Sequence, residues 1–326
     1  MSTQILIDSK LADIAREGLM REHKALPPWL FYDEPGSLLF EQITRLPEYY
    51  LTRLERALLT EHAREIVSAA ANGSRLRILE LGAGSADKTR LLLAAVVAAQ
   101  QTVSYQPIDV SATALDAARR RLNAELPGVQ VNPMLADYTA GWQPAHHTGE
   151  ERQLLLWLGS SIGNFEPESA QSLLARVRKS MRPGDGLLLG VDLAPRPGGK
   201  TREDLVAAYD DAAGVTEAFN KNLLHRLNRE LGAEFEPEAF AHCVEWNMER
   251  SRIEMHLESR HRQSVWIDAL GEQVKLAANE RIHTENSYKY TLEAAKNRME
   301  GAGFACVGQW LDEAGWFAVL LGAVDG

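Results

Sequence analysis

Arg77-Ile78-Leu79-Glu80-Leu81 reads as an apolar strand that runs into Gly82-Ala83-Gly84-Ser85-Ala86-Asp87-Lys88-Thr89. Two glycines one residue apart leave the backbone bare where a ligand must come close. In the GxGxxG loop of dinucleotide-binding folds a third glycine lets helix and strand pack beneath a pyrophosphate, and here Asp87 takes its place. With Glu80 and Asp87 beside the turn, the loop is expected to suit a cationic nucleoside without phosphates, a description that S-adenosylmethionine fits. Any tight strand-to-helix turn can use such a glycine pair, so the reading depends on acids farther along the chain. Asp109, which closes Tyr105-Gln106-Pro107-Ile108-Asp109, stands where nucleotide folds place an acid that accepts from ribose hydroxyls; it also precedes a helical run, so an N-cap role is open. Asp137-Tyr138 closes the run Val129–Leu135, with Asp137 placed to accept from an adenine amino group and Tyr138 to pack beside the ring. Asn164, in Gly159-Ser160-Ser161-Ile162-Gly163-Asn164, lies just past the next apolar run, at the strand end where ligands of open α/β sheets gather.

The elements that would place these residues can be read from periodicity. Apolar runs at Leu76–Leu81, Ser104–Ile108, Val129–Leu135, Leu154–Leu158 and Gly186–Val191 alternate with helical segments, which predicts an α/β domain with a mostly parallel sheet. Ala194-Pro195-Arg196-Pro197-Gly198-Gly199-Lys200 has the composition of a hinge, after which a long helical region is expected over Asp204–Leu231. Ser251–Arg260 and Gln263–Leu270 read as strands, Leu292–Gly301 as a helix, and Trp316–Leu321 as a terminal strand rejoining the first sheet. The N-terminal segment is helical in pattern but broken at Pro27-Pro28 and Glu34-Pro35-Gly36-Ser37, and is expected to pack on the segment after the hinge. The expected domains are residues 1–57 with 197–287, and 58–196 with 288–326.

Composition narrows the partners. A net charge of −10 over 326 residues gives no footprint for nucleic acid, and Arg119-Arg120-Arg121 reads as a solvated helix face. Cys243 and Cys306 are too few for a disulfide framework and read as buried hydrophobes. No signal-peptide pattern or membrane-length apolar run stands out, so a cytoplasmic protein is expected. His146-His147 and His283 lack accompanying carboxylates or cysteines at ligand spacing, so no metal is assigned.

Beyond the glycine loop, several stretches carry a more specific signal: Phe31-Tyr32-Asp33, Gln42-Ile43-Thr44-Arg45-Leu46-Pro47-Glu48-Tyr49-Tyr50, the Gly159–Asn164 segment, Ala208-Tyr209-Asp210-Asp211-Ala212-Ala213-Gly214-Val215-Thr216, Arg252-Ile253-Glu254-Met255 and Thr284-Glu285-Asn286-Ser287. Together they resemble the histidine Nα-methyltransferases of ergothioneine biosynthesis, almost from end to end. The resemblance implies a class I methyltransferase, Rossmann-like sheet with a discontinuous α+β substrate-binding domain. It implies that Gly82, Lys88, Asp109, Asp137 and Tyr138 hold S-adenosylmethionine, and that Tyr49, Asn164, Tyr209, Met255, Glu285 and Ser287 hold L-histidine. Tyr32 and Asn164 are then the groups that orient the amine, and the chain would work as a monomer on a small-molecule substrate.

Elementary chemistry is consistent with that assignment. In an extended segment Glu285 and Ser287 point to one side, so both can read a single imidazole, and an ionised Glu285 favours an N–H-donating ring. On spacing alone Glu285 could instead be a solvated loop residue, and Tyr49-Tyr50 could be core aromatics. The expected reaction is trimethylation of the histidine α-amine. The alternatives are methylation of another amino acid or natural-product amine, or ligand binding without turnover.

Overall fold

The computed structural model describes residues 2–139, 142, 144 and 149–325, apart from the side chains of residues 2–10; His146 and His147 lie outside the described residues. The chain opens with helices α1 (Ser2–Leu19), α2 (Glu34–Ile43) and α3 (Tyr50–Ala71), with a 3-10 turn at Pro28–Phe31. Strands and helices then alternate as β1 (Leu76–Leu81), α4 (Thr89–Gln100), β2 (Val103–Asp109), α5 (Ala112–Glu125), β3 (Val129–Val131) and β4 (Met134–Leu135). After β5 (Arg152–Trp157), α6 (Pro167–Lys179) and β6 (Gly186–Asp192) come α7 (Arg202–Ala207) and α8 (Val215–Leu231). The remainder is β7 (Phe240–Asn247), β8 (Arg252–Ser259), β9 (Gln263–Ile267), β10 (Glu272–Leu276), β11 (Arg281–Tyr288), α9 (Leu292–Gly301), β12 (Ala305–Leu311) and β13 (Phe317–Ala323).

Two units result, one of residues 1–49 with 202–287, the other of residues 50–201 with 288–326. The chain changes unit at Tyr49–Tyr50 because α3 is one unbroken helix whose face, Leu58, Leu59, Ile66 and Val67, is buried, and it packs on β13 and β12.

The second unit holds an eight-stranded sheet in the order β12-β13-β6-β5-β1-β2-β3, with β4 also paired to β2. The strands from β6 to β3 run parallel, and β13 returns antiparallel beside β6, Leu320 opposite Leu189. Strand β6 is buried along its whole length, so its sequence is a continuous apolar run rather than an alternation. Leu79, Leu155, Leu187 and Leu320 meet Leu173 and Val177 of α6 and Met299 of α9 in the core. The chain leaves β1 for β2 on one side and later fills β5 on the other, so the carboxyl ends of β1 and β5 flank the switch point at which such sheets bind ligands.

The first unit is built on a three-stranded sheet, β11-β8-β7, beside the β9–β10 pair. Helix α8 packs on β7 and β8 and is itself contacted by α1 and α2. Asp33 caps α2 by accepting from the Gly36 N–H at 2.8 Å, and also accepts from Asn222 of α8 at 2.8 Å, which ties the N-terminal segment to the later one.

Several sequence expectations are corrected. The strand expected over Val129–Leu135 is split into β3 and β4 around Asn132-Pro133, where proline has no N–H for the ladder. The helix expected over Asp204–Leu231 is broken between α7 and α8, because Asp211 accepts from the Val215 and Thr216 N–H groups at 3.0 and 2.7 Å and starts a new helix at Gly214. Cys243 and Cys306 are half-buried rather than buried.

Candidate active site

In the sheet unit the glycine turn takes the backbone that its composition implied. Gly82 and Gly84 have φ of +65° and +52°, and a side chain on Gly84 would meet nothing within 4 Å, so the turn offers open space above bare backbone. The Gly82 N–H donates to Ile108 O at 2.9 Å, which sets the turn against the end of β2. Asp109 closes that strand, and its two oxygens accept from the Gly84 and Ser111 N–H groups, each at 2.9 Å. Ser111 caps α5, its Oγ accepting from Ala114 N at 3.3 Å, so Asp109 is not that helix's cap but the tie between strand end and glycine turn. A carboxylate has about four lone-pair positions, so these backbone donors still leave acceptor capacity for a ribose hydroxyl. Burial pushes the Asp109 carboxyl up, against the backbone N–H groups of Gly84, Ser111 and Val110 that favour its charge.

Tyr138 lies close to the same turn: its hydroxyl would be 3.5 Å from a Cβ on Gly82. The ring meets Trp157 edge-on at 6.4 Å and Phe165 at 6.3 Å, and its carbonyl accepts from Arg176 at 3.1 Å. Asp137 accepts from the Thr139 N–H at 2.9 Å. Next to this pair, Thr139, Phe165, Ser169, Leu173 and Arg176 border an open hollow of about 420 Å³. Asn164 ends the 3-10 turn Ser161–Asn164 after β5, entered through Gly159 and Ser160 in the left-handed region at φ +75° and +59°.

The electrostatics of the turn differ from the sequence expectation. Asp87 is met by Arg56 and lies 3.4 and 3.6 Å from Arg121 and Arg90, so its charge is compensated within the protein. Glu80 turns into the core, where its oxygens accept from Thr89 at 2.6 Å and from the Tyr105 hydroxyl. Burial raises its pKa to about 7 despite those donors, so it is largely discharged in mildly acid solution. Arg121, expected on a solvated face, instead reaches back toward Asp87.

Lys88 is paired with Glu55 of α3, a fully buried carboxylate that also accepts from the Gly159 N–H at 2.8 and 3.0 Å. Room for Glu55 comes from Gly190 in β6, where a Cβ would stand 2.1 Å from Glu55 Oε1. Glu55 therefore joins the glycine turn to the Asn164 segment. Sequence reading missed it, since one acid in the middle of an amphipathic helix carries no local signal.

In the other unit Tyr209, Tyr49 and Ser287 come together. The Tyr209 and Ser287 hydroxyls are 2.8 Å apart, and the Tyr49 ring meets the Tyr209 ring edge-on at 6.1 Å. Phe40 stands edge-on to both Tyr49 and Tyr32, at 6.2 and 5.6 Å, and Phe219 of α8 stands edge-on to Tyr32 at 5.8 Å. Phe40 and Phe219 extend the aromatic wall and were not singled out in the sequence. Glu285 and Ser287 alternate on β11 and are 7% and 3% exposed, so Glu285 is no solvated loop residue. The Thr284 hydroxyl donates to Met255 O at 3.0 Å, which fixes β11 beside the segment of β8 that carries the buried Met255. His242 joins in from β7, its Nε2 2.9 Å from Tyr209 O. His283 lies 2.8 Å from Asn286 and faces the His256 ring at 5.2 Å. Among the described residues no cluster of three metal-ligating side chains occurs.

A family model described as histidine-specific, S-adenosylmethionine-dependent methyltransferase matches residues 11–324. The chain belongs to this family. It is 42% identical to a histidine N-alpha-methyltransferase of Mycolicibacterium smegmatis and 41% identical to one of Mycobacterium tuberculosis, in each case over 94% of this chain and 92% of the relative. It is also 32% identical to the N-methyltransferase imqF of Aspergillus flavus, over 91% of this chain and 80% of that one. As a histidine-specific methyltransferase the chain is an enzyme that takes its methyl group from S-adenosylmethionine. The sheet unit suits that donor: open backbone at Gly84, an acceptor at Asp109 and an aromatic face at Tyr138 fit an unphosphorylated nucleoside. Asp87 is thus compensated by arginines rather than set aside for a ligand, contrary to the expectation from its place in the turn. No helix of the described residues is long and apolar enough to cross a membrane.

Proposed function

We propose that the chain transfers methyl groups from S-adenosylmethionine to the α-amine of L-histidine, three times in succession, to give Nα,Nα,Nα-trimethylhistidine, the first step of ergothioneine biosynthesis. What carries the reading is the extent of the likeness: over 94% of its length the chain aligns with proteins named for histidine Nα-methylation. A relative from Neurospora crassa, 32% identical over 88% of this chain but only 32% of its own length, is named an ergothioneine biosynthesis protein.

In this reading Asp109 holds the ribose, Asp137 and Tyr138 the adenine, and Gly82 and Lys88 the amino acid end of the donor, which supplies an already activated methyl. Tyr49, Asn164, Tyr209 and Ser287 hold the polar groups of histidine, Glu285 accepts from the imidazole, and Met255 lines it. Glu285 is buried, so an acceptor whose side chain cannot donate to it forgoes a hydrogen bond that an imidazole N–H supplies in a site shielded from water, and that difference favours histidine. The α-amine is largely protonated near neutral pH and must lose a proton before each transfer. Tyr32 and Asn164 orient the neutral amine in line with the methyl, and alignment supplies most of the acceleration. A third methyl leaves no lone pair, which ends the sequence. Both sets of ligands belong to one chain, and a cytoplasmic monomer is the simplest form of the enzyme.

Mass spectrometry of histidine incubated with the enzyme and S-adenosylmethionine should show successive additions of one, two and three methyl groups. A panel of other amino acids and amines in the same assay tests the rival acceptors; faster turnover of any of them than of histidine overturns the assignment. Asp109→Ala should weaken binding of S-adenosylhomocysteine roughly a hundredfold with little change in histidine affinity, and Glu285→Ala should do the reverse. Retained histidine affinity in Glu285→Ala would refute the role given to that carboxylate.

A further inference from the structure

The chain passes between its two units at Tyr49–Tyr50, Thr201–Arg202 and Ser287–Tyr288. Within the sheet unit, the residues flanking all three crossings converge on one side chain, the fully buried carboxylate of Asp192 at the end of β6. The Tyr50 hydroxyl donates to it at 2.8 Å, Lys289 Nζ lies 2.8 Å from Oδ2, and Lys200 Nζ bonds to Oδ1. Lys200 also donates to Trp316 O at 3.2 Å and stands 4.7 Å from the centre of the Tyr50 ring. The Asp192 N–H in turn donates to Ser160 Oγ at 2.9 Å. Both lysine side chains are almost wholly buried, 1% and 0% exposed, so two cations share one carboxylate away from water.

Such a cluster is a poor source of stability, because desolvating the ions offsets most of their attraction and apolar replacements often do as well. What it offers is fixed direction. Tyr50 follows Tyr49, Lys289 lies two residues after Ser287, Lys200 precedes α7, whose end leads into Tyr209, and Ser160 begins the turn that ends at Asn164.

We propose that Asp192 is a positioning residue for histidine: its carboxylate and amide hold the four segments that carry Tyr49, Asn164, Tyr209 and Ser287, so that it governs substrate affinity through them. The proposal rests on the assignment of those four residues as histidine ligands. Ser160 adjoins Gly159, which Glu55 links to Lys88, but that branch hangs from the Asp192 amide, which Asp192→Asn keeps. The carboxylate's own partners Tyr50, Lys200 and Lys289 include none of the groups given to the methyl donor, so loss of the carboxylate is expected to separate the two ligands' affinities.

The test measures histidine KM and kcat, binding of S-adenosylhomocysteine by calorimetry, and thermal midpoint for Asp192→Asn, Tyr50→Phe and Lys289→Met. The expected result is a rise in histidine KM of about tenfold or more in Asp192→Asn and a smaller rise in Tyr50→Phe, with S-adenosylhomocysteine affinity held within about threefold. The Asp192→Asn and Tyr50→Phe effects on KM should not add in the double variant, because both act through one contact. Histidine and S-adenosylhomocysteine affinities that fall together with the thermal midpoint, or an unchanged histidine KM, overturn the proposal. If Asp192→Asn does not fold, Tyr50→Phe, which loses one hydroxyl, decides the matter by the same criteria. Tyr49→Phe and Ser287→Ala serve as controls: if they leave histidine KM unchanged, the ligand assignment fails, whereas a rise in them alone leaves the assignment standing and removes only the anchor.

Discussion

Glu80 shows how little a residue's type says about its charge. Its sequence context places an acid beside a glycine turn, but the fold turns it inward against Thr89 and Tyr105, and burial raises its pKa to about 7. The consequence for stability has a definite sign. Below the ordinary value of 4.5 the carboxyl is neutral folded and unfolded alike; between there and 7 the folded form keeps a proton that the unfolded chain releases. Stability from this group is therefore present at low pH and lost as pH rises through 7. Glu80→Gln cannot titrate, so the difference in unfolding free energy between wild type and variant should shift in the variant's favour by on the order of 3 kcal/mol from pH 4.5 to 7.5. Urea unfolding across that range checks it, and a flat difference would mean that Glu80 is not a buried acid. Asp87 teaches the same lesson from the other side. Its partners Arg56 and Arg121 come from α3 and α5, distant in sequence, so no reading of the turn alone can see that its charge is taken. The place of Asp109 at the end of β2, by contrast, is legible, because an alternating α/β chain sets the carboxyl ends of its parallel strands along one edge of the sheet.

Elements were legible where their environment is uniform. Strands β1, β2, β5 and β6 are buried between helices and read as apolar runs, and α9 and β13 likewise stand out. Strands β7 and β12 are mostly half-buried or exposed along their lengths, so their side chains follow no clean alternation in burial, and β10 alternates only over Gln273–Leu276, too short a run to stand out. Contacts between elements are harder still to foresee, and Gly190 is the clearest case. A glycine inside a buried strand usually weakens it, and here it makes way for Glu55, which crosses from α3 to hold Gly159 and Lys88. Gly190→Ala would put a methyl 2.1 Å from Glu55 Oε1, far inside contact distance, and drive the carboxylate from its place. Overpacking of this kind costs about 1 to 3 kcal/mol. The freed Lys88 and Gly159 should also weaken S-adenosylhomocysteine binding severalfold, while Ala substitution at the exposed Gly198, whose φ is +74°, should cost stability without touching the ligand. Denaturation and calorimetry on the two variants test the contrast; equal ligand affinity in both would remove Glu55 from the donor site.

At the scale of the whole chain the two units carry opposite responses to acid. In the sheet unit burial raises the carboxyls of Glu80 and Asp109, so that unit gains from protonation as pH falls toward 4.5. In the other unit burial lowers His256 to about 4, with His283 and Arg281 acting in the same direction and Glu254 and Glu245 against it. His256 is packed against the His283 ring and is 8% exposed, so its charged form is unwelcome in the fold. Between 6.5 and 4 the unfolded chain binds a proton there that the folded chain refuses, and stability falls with pH across that window. Asp211, Glu254 and Glu280 in the same unit are all held below their ordinary values, Asp211 by the Thr216 hydroxyl and N–H, Glu254 by Arg252 and Glu280 by Lys24, in each case against the cost of burial, so they add to the loss at the acid end. Asp192 is the sheet unit's exception: Lys289 and Lys200 keep it low against its burial, and its contribution disappears only below the ordinary carboxylate value. Moderate acid should therefore loosen one unit first. Hydrogen exchange followed by mass spectrometry at pH 6.5 and 4.5, corrected for intrinsic rates, should show protection lost from peptides of β7, β8 and β11 while those of β1 and β2 keep theirs. His256→Gln, which carries no titrating group, should keep most of that protection at pH 4.5, and an equal loss across both units in wild type would show that the chain responds to acid as a single cooperative body.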